Sequence, residues 1–103
     1  MGDNSGLKVE KLSADHDYHH WKFNMRMYLI GRDLWEIVEG TETLPEDANA
    51  EQSRKFKRRE NIALSSICLA VSNSLQIYVR GAKSAKEAWD ASLVILRRKV
   101  SVR

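Results

Sequence analysis

Apolar residues along the chain recur at helical spacing, and the densest group lies in residues 18–40. One side of the predicted first helix carries Trp21, Met25 and Tyr28. The nearly opposite side carries Phe23, Met27 and Ile30. Because a helix that is apolar on two sides is normally covered on both, the pattern predicts a central helix between two partners.

Glycine and proline mark where the first helices end. Gly31 is expected to end the first helix by adopting a positive φ, and Gly40 is expected to end a short second helix, residues 32–38, in the same way. Leu44 precedes Pro45 and is therefore held out of the helical region, which predicts a polar connector there.

A long third helix is predicted to begin at a cap, Asp47 or Asn49, and to run to about Ser72. Its first half has a single apolar stripe and its second half is apolar all round, so only the second half is expected to be buried. A short fourth helix over residues 73–80 follows, and a Ser-to-Glu capping box that starts at Ser84 opens a fifth helix.

These elements predict an all-α fold, a compact bundle of about five helices. The three tryptophans are large core side chains in this interpretation, and we expect them to converge. The residues assigned to the core are Trp21, Phe23, Met25, Tyr28, Leu34, Trp35, Val38, Phe56, Ala63, Ile67, Val71 and Trp89.

Composition agrees with one globular helical domain. The 103 residues are 43% hydrophobic, with one proline and five glycines, which argues against disorder and against an all-β fold. We predict a flexible or extended leader over residues 1–14, the helical domain over residues 15–98 and a basic tail over residues 99–103. The leader lacks the apolar stretch of a signal peptide, and no stretch approaches the length that spans a bilayer.

Catalytic and metal sites are not indicated by any motif. The sequence contains no nucleophile elbow, glycine-rich phosphate loop, HExxH or paired-cysteine motif. His16 and His20, which lie with His19 among Asp15 and Asp17, have the spacing of a metal clasp. No further histidine or free cysteine is placed to complete a tetrahedral set, so ordinary polar residues at a helix start are the favoured interpretation. Cys68 stands alone, which favours a reducing compartment. We therefore predict no enzyme, no cofactor, no metal and no small-molecule substrate.

The densest run of charge is basic and lies on the predicted third helix: Arg54, Lys55, Lys57, Arg58 and Arg59. Such a run is usually a solvated helix face. The functional alternative is a patch for RNA phosphates, although no exposed aromatic is interleaved to stack bases. The net charge of +3 tolerates a polyanion without identifying one. Further cations that would extend the patch are Arg97, Arg98, Lys99 and Arg103.

Three sequence blocks occur together in a fixed order. They are Tyr18-His19-His20-Trp21-Lys22-Phe23, Asp33-Leu34-Trp35-Glu36-Ile37-Val38-Glu39-Gly40 and Ala85-Lys86-Glu87-Ala88-Trp89. Jointly, over about Leu12 to Trp89, they resemble the Gag polyprotein of copia-type LTR retrotransposons. The family pattern has leucine three residues after the last tryptophan, where this chain has Ser92 beside Leu93.

The resemblance implies a structural protein, the N-terminal part of an all-helical capsid that assembles around RNA. The implied partners are other copies of the chain or a full-length Gag, with RNA as a further candidate and no membrane. The implied location is the cytoplasm, within virus-like particles where these form. A cellular protein derived from such a Gag would show the same blocks. The alternative function is a small basic helical domain that binds RNA.

Overall fold

The computed structural model describes Lys11 and residues 18–101, with side chains as far as Ile95. The regular structure in this part of the chain comprises α1 (Tyr18–Gly31), α2 (Trp35–Glu39), α3 (Ala50–Leu69), a 3₁₀ helix (Asn73–Tyr78) and α4 (Ala85–Ser101). The predicted all-α bundle of about five helices is confirmed. The predicted leader lies outside the described residues except for Lys11, and the backbone of α4 continues into the segment predicted as a tail.

A tight corner at Asp33 joins α1 to α2. Asp33 has a φ of 62°, and the N–H groups of Asp33 and Leu34 donate to the carbonyls of Ile30 at 3.0 Å and Leu29 at 2.8 Å. These bonds form a Schellman motif, which ends α1. The prediction that Gly31 would take the positive φ is wrong, because Gly31 is the last helical residue. Aspartate, which tolerates the left-handed region, turns the chain two residues later.

Gly40 ends α2 with a φ of 92°, as predicted. Its N–H donates to the carbonyl of Ile37 at 3.2 Å, and the N–H of Thr41 donates to the carbonyl of Glu36 at 3.0 Å. This is again a Schellman motif, here with glycine in the left-handed position. The connector that follows leads directly into α3.

Both ends of α3 are fixed by side chains. At its start, Asn49 and Gln52 form a reciprocal capping box, so Asn49 is the cap that is used. At its end, the indole N–H of Trp21 donates to the carbonyl of Ala70 at 3.0 Å. The amide of Gln76 donates to two more carbonyls of the same turn. Because these bonds replace further helical pairing, α3 ends at Leu69, before the predicted position.

The start of α4 is held by two glutamates. The hydroxyl of Ser84 accepts from the N–H of Glu87 at 3.1 Å, which is half of the predicted capping box. The carboxylate of Glu87 accepts instead from the N–H of Lys83 at 2.9 Å. A carboxylate oxygen of Glu60 accepts from the N–H of Ala85 at 2.5 Å, so α3 supplies a cap for α4. The preceding segment forms a 3₁₀ helix where an α-helix was predicted.

The tryptophans converge in the core, as predicted. Trp21 stacks on Trp89 with ring centroids 5.9 Å apart, and Trp35 meets Trp89 edge to face at 5.3 Å. Tyr28 and Trp35 are half-buried against this cluster. The residues of the predicted core that are buried are Trp21, Met25, Leu34, Val38, Ala63, Ile67, Val71 and Trp89.

Phe23 and Phe56 depart from the predicted core, and Leu69 departs from the predicted burial of the second half of α3. Phe23 is 57% exposed, because the contacts of α1 with the core all come from its other side, through residues such as Trp21 and Met25. Phe56 is half-buried beside the connector. Leu69 is 66% exposed, so the second half of α3 is not buried all round. Burial in both helices is therefore one-sided.

Candidate functional site

The outward side of α1 exposes a strip of large apolar side chains. Phe23, Met27 and Ile30 are 57%, 40% and 45% exposed. Their i, i+4, i+7 spacing places them next to one another on the helix. A contiguous apolar strip of this kind marks an interaction surface more often than scattered apolar residues do. The prediction that α1 is covered on both sides is therefore wrong for the part of the chain that the structure describes.

Two cations flank this strip, and α1 contains no aspartate or glutamate. Lys22 and Arg26 are exposed one helical turn apart. The Arg26 guanidinium lies 5.3 Å from the ring centroid of Trp35, which is a cation–π contact at the junction of α1 and α2. We call Lys22, Phe23, Arg26, Met27 and Ile30 the α1 face.

A second group of exposed apolar side chains follows the C-terminal end of α3: Leu69, Ile77 and Tyr78. On a helical wheel, the predicted fourth helix places Leu75, Tyr78 and Val79 on one face. Val79 is buried and Tyr78 is 47% exposed. The tighter winding of the 3₁₀ helix separates neighbours that an α-helical wheel would group together.

Arg59 hydrogen-bonds to residues outside α3, unlike the other cations of the basic run within the part of the chain that the structure describes. Its guanidinium donates to both carboxylate oxygens of Glu42, at 2.6 and 3.0 Å, and to the carbonyl of Asp33 at 2.5 Å. The hydrogen bonds to Glu42 raise the pKa of Arg59, and those from Arg59 lower the pKa of the Glu42 carboxyl. Arg59 therefore joins α3 to the connector and to the corner after α1. Three of its five N–H donors are used within the fold, so Arg59 is less available to a phosphate than the exposed cations of the run. Its place in an RNA patch stays a prediction.

The other cations of the run stay on the outside of α3. We call Arg54, Lys57 and Arg58, which share one side of the helix, the α3 basic face. They line a shallow hollow of about 870 Å³ together with Ser53, Asn61, Ile62 and Ser65. Lys55 forms an exposed ion pair with Glu51 at 3.3 Å, a contact of little energetic weight. The other predicted patch residues lie beyond the described side chains: Arg97, Arg98, Lys99 and Arg103.

Reactive and metal-binding groups contribute little to these surfaces. Cys68 is half-buried, and burial raises the pKa of its thiol, which disfavours the nucleophilic thiolate. The described residues contain no cluster of three or more potential metal ligands, and His16 lies outside them. Within residues 18–101, no helix combines the length and the apolar character needed to cross a bilayer.

The fold and these surfaces define the class: a small all-α protein whose distinctive features are an apolar strip and a basic face on the outside of two helices. The family model described as gag-polypeptide of LTR copia-type matches residues 25–96, which is 72 of the 103 residues. The chain belongs to this family, and the predicted resemblance is confirmed. The comparisons with curated proteins and with solved structures returned no match.

Family membership supports a structural role, since Gag polypeptides are structural proteins. That the chain has no enzymatic activity stays a prediction. The matched region includes Ser92, where the family pattern described above has leucine. Ser92 is fully buried, and its hydroxyl donates to the carbonyl of Trp89 at 2.6 Å. The substitution therefore leaves no unpaired hydroxyl in the core.

Proposed function

We propose that the chain is a Gag-type capsid module that associates with copies of itself or with a full-length Gag through the α1 face. The observation that carries this proposal is the exposure of Phe23, Met27 and Ile30 on the outside of a helix whose other side is fully packed. Burial of such side chains against a partner removes apolar surface from water, which is the main favourable term in protein association. The expected location is the cytoplasm, within virus-like particles where these form.

The size of the strip favours weak and repeated contacts. Three partly exposed side chains cover a few hundred Å², well below the roughly 800 Å² that each partner buries in a typical stable complex. A single contact of this size would be transient, and many of them in one assembly would act together. A capsid module has this requirement, because a closed shell is built from many copies of the same modest interface.

Sedimentation equilibrium over a concentration series tests this proposal. We expect the average mass of the wild-type chain to rise above 11.8 kDa with concentration, and Phe23→Ser to hold it near that value. The matched control is Val94→Ser, a comparably exposed apolar residue on α4, which should associate like the wild type. A wild-type chain that stays monomeric throughout, and that is not recruited into particles by a full-length Gag, would reject the proposal.

RNA binding by the α3 basic face is a second candidate function. The observation that favours it is that Arg54, Lys57 and Arg58 line one hollow and that none of these side chains takes part in an ion pair within the described residues. Three phosphate contacts to a single strand give a slope of log affinity against log salt of about −2.

A fluorescence titration with single-stranded RNA at several salt concentrations tests this function. Replacing Arg54, Lys57 and Arg58 with alanine should abolish the salt-dependent affinity, whereas Lys55→Ala, which removes a cation from a different side of α3, should change it little. Wild-type binding that is absent, or that does not weaken with salt, would exclude the α3 basic face as an RNA site.

A further inference from the structure

Acidic residues concentrate in one segment that contains no lysine or arginine. Residues 33–51 hold seven of the 14 aspartates and glutamates in the chain: Asp33, Glu36, Glu39, Glu42, Glu46, Asp47 and Glu51. The preceding helix, α1, shows the reverse, with Lys22 and Arg26 and no acidic residue. Each copy of the domain therefore carries a basic apolar surface and an acidic surface on neighbouring elements.

The acidic segment keeps most of its charge exposed. Glu42 is neutralised by Arg59, but Glu36 and Glu39 on α2 and Glu46 in the connector are exposed. None of these three carboxylates takes part in an ion pair within the described residues, so a cation from another molecule could approach them. We call residues 33–51 the acidic segment.

A hollow of about 300 Å³ lies where the acidic segment meets α3. Leu44, Pro45 and Phe56 form its apolar lining. Its polar lining includes the ion pair between Arg59 and Glu42 and the side chain of Lys55, which is paired with Glu51. A cavity of about 150 Å³ is enough to admit a benzene ring. The hollow therefore has room for one aromatic side chain from another molecule.

We propose that the α1 face of one copy docks on the acidic segment of a second copy, with Phe23 entering the hollow at Leu44, Pro45 and Phe56. Lys22 would then approach the carboxylates of α2 and the connector. This inference rests on the self-association proposed above and specifies its geometry.

Charge favours this contact over the symmetric alternative. If two α1 faces met each other, Lys22 and Arg26 would be brought close to their own copies, and like charges at an interface oppose association. Contact between the α1 face and the acidic segment pairs opposite charges instead. Such a contact is heterologous, so each copy retains one unused surface of each kind and the assembly extends into a ring or a filament.

Complementary charge reversal tests the pairing. One variant carries Lys22→Glu, and the other carries Glu39→Lys with Glu46→Lys, all at exposed positions where folding can be checked by circular dichroism. Each variant alone should associate about tenfold more weakly than the wild type, because it confronts like charges. An equimolar mixture should recover association. The reversed α1 face of one variant then meets the reversed acidic segment of the other, and the two native surfaces meet each other. Added salt should weaken wild-type association.

Each outcome separates the docking geometry from the proposed function. If the wild type associates but both variants associate equally well, or if their mixture stays as weak as its components, the proposed contact is wrong and self-association stands. If the wild type stays monomeric at every concentration and is not recruited into particles by a full-length Gag, both proposals are rejected. If Lys22→Glu and Phe23→Ser leave the sedimentation mass unchanged but abolish binding to anionic lipid vesicles, the α1 face is a lipid-binding surface and the proposed contact is refuted.

Discussion

Trp21 connects three parts of the fold, and its replacement with phenylalanine should be costly. Its side chain is 3% exposed, its indole N–H donates to the carbonyl of Ala70 at 3.0 Å, and its ring stacks on Trp89. Phenylalanine keeps an aromatic ring but has no N–H to donate. The carbonyl at the end of α3 would then be left without this partner in a site that is almost completely buried.

The expected loss in the free energy of unfolding has two parts. Leaving a buried acceptor unpaired costs about 1–3 kcal/mol. The smaller ring loses contact area and stacking with Trp89, which adds about 1 kcal/mol. The total of about 2–4 kcal/mol is a large fraction of the roughly 5–15 kcal/mol that stabilises a typical domain.

Urea unfolding followed by far-ultraviolet circular dichroism measures this loss without relying on tryptophan emission. With a slope of about 2 kcal/mol per molar urea, the midpoint of Trp21→Phe should fall by about 1–2 M. Phe23→Leu, on the same helix but 57% exposed, is the control and should shift stability by no more than about 0.5 kcal/mol. An unchanged midpoint for Trp21→Phe, or an equal loss for Phe23→Leu, would refute this assignment of the two sides of α1.

Three further predictions concern stability. Gly40→Ala should destabilise by about 1–2 kcal/mol, because its φ of 92° strains any L side chain and the new Cβ would lie 3.2 Å from a lysine side chain of α4. Gly31→Ala, at a helical position with no atom within 4 Å of the new Cβ, should stabilise by about 0.5–1 kcal/mol; thermal unfolding compares the two. Arg59 lowers the folded-state pKa of Glu42, so the stabilisation from this pair is present at neutral pH. It is lost as pH falls below the ordinary value of 4.5 and through the folded-state pKa. Arg59→Met should therefore cost about 1 kcal/mol at pH 7 and less in acid, measured by urea unfolding at several pH values. Glu60→Ala should cost about 1 kcal/mol by the same measurement at neutral pH, since it removes a cap from α4.

Each of these has a result that contradicts it. Equal effects of alanine at Gly40 and Gly31 would remove the argument from the left-handed turn. An Arg59→Met variant that loses as much stability in acid as at neutral pH would show that Glu42 does not respond to the ion pair. A Glu60→Ala variant as stable as the wild type would show that the carboxylate adds nothing to the capping by Ser84.

Part of the candidate site was readable from the sequence. The basic run on α3 and the absence of lysine and arginine from residues 33–51 are both visible in the order of residues. The exposure of Phe23 and the hydrogen bonds of Arg59 to Glu42 could not be predicted from the sequence, because each depends on contacts between distant segments. Likewise, no local sequence pattern predicts that Glu60 caps a helix that begins 25 residues later.

The sequence alone determined the features that depend on near neighbours along the chain. Helical periodicity specified the all-α class, and Gly40 specified the end of α2. The short polar acceptors Asp47 and Asn49 placed the start of α3 to within a few residues, and the structure selected Asn49. The three blocks also indicated the family that the match to residues 25–96 establishes.

Only the tertiary structure decided which apolar side of α1 faces the core. A helical wheel predicts burial equally for the Trp21 side and the Phe23 side of α1. Periodicity shows that a side is apolar, but it does not show what packs against that side. The hydrogen bond from Trp21 to the carbonyl of Ala70 holds the Trp21 side of α1 against the core, and it also pairs a carbonyl at the end of α3. The two residues are 49 apart in the chain, so no local pattern predicts this contact. The opposite side, with Phe23, stays exposed within the described part of the chain.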